Sequence, residues 1–97
     1  MTYIKNYTIK SSPSFNKEFE KIYKYLLSNL KEENIANKFY NDIKKQINSL
    51  QYFPERNIRI FAKDKENLRR MIIHKFLIVY EVKKKERRSL YLTYFSF

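Results

Sequence analysis

Two apolar stripes of helical period, set back to back and closed by a proline, constrain this chain more than any other feature. Phe15, Phe19, Ile22, Tyr23, Leu26 and Leu30 fall on one face of a helix, and Ala36, Phe39, Tyr40, Ile43, Ile47 and Leu50 fall on one face of a second. Ser12 suits an N-cap and Pro13 the first helical position, where its missing N–H costs nothing. The link over residues 29–34 is short, so the two helices form an antiparallel hairpin. Glu32 and Glu33 suit the start of the second helix, where negative charge meets the helix dipole. Ala36 is small enough to let the helices approach near the turn. Phe53-Pro54 ends the second helix, because proline disfavours helical geometry in the residue before it.

The rest of the chain reads as strands. Residues 3–9 alternate before the hairpin. After it come residues 57–61, 68–73, 76–82 and 89–97. The run Phe76-Leu77-Ile78-Val79-Tyr80 is continuously apolar, the pattern of a central strand covered on both faces. The order is β-α-α-β-β-β-β. Its simplest α+β solution is a twisted antiparallel sheet with the helical hairpin packed on one face. At 97 residues, 1–97 is read as one domain.

Composition narrows the chemistry. There is no cysteine, which excludes disulfides and thiolate metal sites, and one histidine is too few for a histidine metal cluster. There is no glycine, which excludes the glycine-rich phosphate loops. No cofactor and no metal is expected. No apolar run is long enough for a membrane span or a secretory leader, so the expectation is a soluble cytoplasmic protein with no membrane partner.

The formal charge is +11 and it is unevenly placed. Residues 1–52 hold nine Lys and Arg against five acids, whereas residues 53–97 hold twelve against five. A basic second half points to an acidic partner or a polyanion. The candidates for binding phosphate or partner are Arg59, Arg69, Arg70, Lys75, Arg87 and Arg88. Arg offers a fork of donors that matches both phosphate and carboxylate. Alternation on a strand sends Arg69 and Arg70 to opposite faces, one to the open face and the other round the helix layer or onto an acid. His74 is either a general acid–base or a turn residue. Tyr80 and Tyr91 either stack on bases or pack in the sheet. Residues 83–88 are either a nucleic-acid contact or a solvated hairpin. Glu55, Glu81 and Glu86 have no spacing that singles out a catalytic base.

In order and spacing, the whole chain resembles a RelE/ParE-superfamily toxin of a bacterial type II toxin–antitoxin pair. The resemblance runs through Tyr25-Leu26-Leu27, Asn34-Ile35-Ala36, Phe39, Ile43, Ile47, Leu50 and Phe53-Pro54-Glu55-Arg56. Its strongest segment is residues 68–82, from Leu68-Arg69 to Tyr80-Glu81-Val82. It implies two helices on a twisted antiparallel sheet. It also implies a partner antitoxin, whose acidic amphipathic segment neutralises the toxin in a hetero-oligomer. RelE-like members cut mRNA on the ribosome, whereas ParE-like members poison DNA gyrase. Where many members place Arg after the aromatic, this chain has Leu77, and it stops at Phe97 without the terminal residues of many nuclease sites. The hairpin and Phe53-Pro54-Glu55-Arg56 look more ParE-like. The expectation is a growth-arresting, plasmid-stabilising toxin that inhibits gyrase. The alternatives are a metal-independent mRNA interferase, with Arg69 and His74 catalytic, and an inactive homologue that only binds its antitoxin.

Overall fold

The computed structural model describes residues 6–86 and 88–96. The elements run β1 (Thr8–Ser11), α1 (Pro13–Glu20), α2 (Ile22–Leu30), α3 (Glu33–Asn48), β2 (Arg59–Ala62), β3 (Lys65–Ile73), β4 (Phe76–Lys83) and β5 (Ser89–Ser96). Short 3₁₀ turns at Ser49–Gln51 and Pro54–Arg56 lead from α3 to β2.

The helical hairpin forms where the stripes place it. Ser12 caps α1, its Oγ accepting from the Phe15 N–H at 3.0 Å, with Pro13 at the first helical position. The first stripe is divided at Lys21, whose N–H bonds back only three residues to the Glu18 carbonyl. Lys21 keeps right-handed dihedrals and the Tyr25 N–H bonds back to it, so the apolar face stays in phase across the break. Lys31 then takes the left-handed conformation, φ 52°, that ends α2. Glycine is the usual residue at that position, and this chain has none.

The five strands lie in the order β1-β5-β4-β3-β2. Neighbours in sequence from β2 to β5 pair antiparallel, as short turns require. β1 pairs parallel with β5, making the sheet mixed. No turn joins these two strands, so nothing local fixes their relative direction. β1 begins at Thr8, later than alternation places it, and runs on through Ser11. Residues 3–5 of the expected strand lie outside the described residues.

The helices cover one face. Ile22, Leu26, Ala36, Ile43 and Leu50 bury against Met71, Ile73, Ile78, Tyr80, Leu90 and Phe95. Phe15, Phe19 and Phe76 each place a ring centroid 5.5–5.7 Å from that of Phe95, contacts that add to simple area burial. The β4–β5 register shifts between Val79, which pairs with Tyr94, and Tyr80, which pairs with Leu92. Thr93 is thereby bulged, and its hydroxyl bonds the Val79 carbonyl at 3.1 Å. The bulge lets both Leu92 and Phe95 face inward, three residues apart. β4 is central but covered on one face only. Phe76, Ile78 and Tyr80 are buried, while Leu77 and Val79 are half-buried on the open side.

Candidate partner-binding surface

Arg69 lies on the helix side of β3, in phase with buried Met71 and Ile73, but the segment after α3 covers it. Its Nη1 donates to the carbonyls of Glu55 and Asn57, both at 2.8 Å. Its Nε donates to Asn67 Oδ1 at 2.9 Å, and its Nη2 to Glu55 Oε2 at 3.3 Å. The side chain is only 15% exposed. A guanidinium fork is the one side chain that can hold four acceptors in this arrangement.

The same segment is held from beneath. The buried Tyr80 hydroxyl donates to the Pro54 carbonyl and accepts from Asn57 Nδ2. Burial pushes the Tyr80 phenol up, so it stays a donor at neutral pH. Glu55 also takes Lys84 Nζ at 2.6 Å and Asn67 Nδ2 at 3.1 Å. The Lys84 hydrogen bond, with help from Asn67 and Arg69, holds the Glu55 carboxyl below its ordinary value. The same bond raises Lys84. Arg59 donates to the Glu66 carbonyl and lies 5.0 Å from the Phe61 ring. Arg59, Arg69 and Lys84 are thus already satisfied by the protein's own acceptors.

His74 lies just past the end of β3, in the turn to β4. Five residue steps along the chain separate it from Arg69, roughly 17 Å. Its Nε2 is 3.0 Å from Asp42 Oδ2, and its ring centroid is 4.5 Å from that of Phe39 on α3. Lys75, beside it, is exposed.

Arg70 faces the open side of the sheet, in register with Val79 and, through it, Tyr94. Ile72 and Tyr94 are exposed there. Tyr91 carries two ammonium groups over its ring, Lys10 at 5.4 Å and Lys83 at 5.2 Å. The half-buried Arg69 and exposed Arg70 therefore diverge as alternation requires, Arg69 onto an acid and Arg70 to the open face. Arg88 sits in the β4–β5 turn, 6.0 Å from the Tyr7 ring. Arg87 lies outside the described residues. Tyr80, a base-stacking candidate from sequence, is fully buried and cannot offer its ring.

The five described candidate cations thus do not form one patch. Arg59 and Arg69 pair across β2 and β3 midway along β3, Lys75 lies in the β3–β4 turn, Arg70 on the open face and Arg88 in the β4–β5 turn. Sequence reasoning did not find the Glu55–Asn67–Lys84 set around Arg69. Its members are scattered over thirty residues, and the only local signal was a glutamate placed directly after the helix-ending proline. Among the described residues no three His, Asp or Glu side chains are grouped to hold a metal.

A family model described as the ParE toxin of type II toxin-antitoxin system, parDE, matches residues 9–91. Among solved structures, one titled "Chromosomal ParDE TA system from P. aeruginosa" superposes with a TM-score of 0.71 at 17% identity. The match covers 93% of this chain and 94% of that one, and at such identity it is a likeness of fold. No curated protein matches the chain in sequence.

Proposed function

Because this chain belongs to the ParE toxin family of type II toxin–antitoxin systems, we propose that it arrests growth by inhibiting DNA gyrase through a protein–protein contact, not by cutting RNA. The observation that carries this reading is the condition of Arg69. A nuclease arginine must meet a phosphate as charge develops on it, whereas this one is committed to two backbone carbonyls, Asn67 and Glu55. His74, the other candidate, stands past the end of the same strand, roughly 17 Å away. General acid–base work and phosphate stabilisation need groups within hydrogen-bond reach of one scissile bond. Arg69 reads instead as a clamp that fixes residues 54–57 against the sheet.

The partner that family membership implies is an antitoxin. The net charge of +11 favours an acidic, amphipathic antitoxin segment, bound in a hetero-oligomer until the antitoxin is degraded. The proposed place of action is the cytoplasm. No helix among the described residues is long and apolar enough to cross a membrane.

Purified protein added to a translating extract, with mRNA ends mapped by primer extension, tests the reading. The expected result is no new mRNA ends. Cuts in phase with codons would replace it with the ribosome-dependent nuclease.

A further inference from the structure

His74 has φ 57°, in the left-handed region. A non-glycine side chain there costs free energy, and such positions persist where the surroundings hold them, often at functional sites. Here α3 holds it, through Asp42 and Phe39. The tilted Phe39–His74 pair forms a ridge between two apolar grooves. One, of about 620 Å³, runs over Ile35 and Phe39 between Lys38 and Lys45. The other, of about 570 Å³, runs over Tyr25, Leu30 and Phe76 beside Lys75.

Charge distinguishes this surface from the Arg69–Glu55 cluster. Lys65, Arg69, Lys83 and Lys84 each have a carboxylate within ion-pair distance. Lys38, Lys45 and Lys75 have none among the described residues. The one acid lining the grooves, Asp42, is engaged by His74 and by Gln46 Nε2. An acidic partner therefore meets uncompensated positive charge here, whereas at Arg69 it would have to displace Glu55.

We propose that the antitoxin docks an acidic segment across this ridge, with one apolar side chain in each groove and its carboxylates toward Lys38, Lys45 and Lys75. The inference rests on the toxin–antitoxin reading and adds the place and chemistry of the contact. Apolar anchors in pockets supply affinity, and the surrounding charges supply association rate and specificity.

The test measures binding of the full-length cognate antitoxin by calorimetry and by association kinetics. His74→Gly relaxes the backbone while removing the ridge. It is expected to keep Tm within about 5 °C of wild type and to raise Kd by about tenfold or more. Lys38→Glu with Lys45→Glu changes only exposed helix positions. It is expected to raise Kd, slow association and flatten the salt dependence. Binding by both variants within about twofold of wild type overturns the proposal. So does loss of binding confined to Ile72→Glu, which would place the segment on the open sheet face instead. A wild-type protein that does not bind the antitoxin overturns the partnership together with the groove. A wild-type protein that binds while the groove variants bind equally well overturns the groove alone.

Discussion

Replacing Arg69 by lysine separates a clamp from a catalyst. The substitution keeps the charge and most of the apolar stem but replaces a planar fork with one ammonium group. Arg69 makes four hydrogen bonds from three nitrogens, to acceptors on Glu55, Asn57 and Asn67. A single Nζ can satisfy about two of these. The two lost bonds, at about 1 kcal/mol each, give a destabilisation of about 2 kcal/mol. For a domain of this size that lowers Tm by about 8–16 °C. Urea unfolding followed by far-UV circular dichroism reads it directly, as a lower midpoint with the slope unchanged. The folded fraction of the variant is expected to retain activity against the target. A variant within about 0.5 kcal/mol of wild type that has nevertheless lost its toxicity would refute the clamp and return Arg69 to a chemical role.

Three further outcomes follow from the same geometry. Tyr80→Phe removes a buried hydroxyl that serves Pro54 and Asn57; it is expected to cost about 1–2 kcal/mol, read by the same unfolding curves. Glu55→Gln tests the lowered carboxyl. A group held below its ordinary value of 4.5 in the folded protein contributes stability above that pH and loses it as pH falls through the folded value. The stability gap between wild type and Glu55→Gln is therefore expected at neutral pH and should close below pH 4.5; a gap that widens in acid contradicts the ion pair. Ser12→Ala removes the N-cap of α1 and is expected to lower stability by about 1 kcal/mol in thermal unfolding.

The helices were legible because period and cap agree: Ser12-Pro13 opens and two stripes repeat. The stop was placed too late: α3 ends at Asn48, and the chain passes through a 3₁₀ turn at Ser49–Gln51 before it reaches Phe53-Pro54. The interruption at Lys21 was not legible, because a single i→i−3 contact leaves the apolar stripe in phase. Strand pairing was legible where short turns join neighbours. The parallel β1–β5 pairing was not, since its partners lie some eighty residues apart and no turn sets their direction. The apolar run of β4 pointed to cover on both faces, but Leu77 and Val79 are only half-buried on the open side. Alternation correctly sent Arg69 and Arg70 apart, yet it does not say what Arg69 meets, because Glu55, Asn57 and Asn67 arrive by tertiary folding. His74 read as either turn residue or acid–base group. The structure places it in a turn and also against α3, a contact that no local pattern encodes.

The proposed action of this toxin is on a protein surface of gyrase and not on RNA. Gyrase-catalysed supercoiling of relaxed plasmid, assayed with the purified toxin, tests that most directly. Supercoiling is expected to be lost as toxin is added and restored by the cognate antitoxin. Full supercoiling at toxin concentrations that stop growth would contradict it.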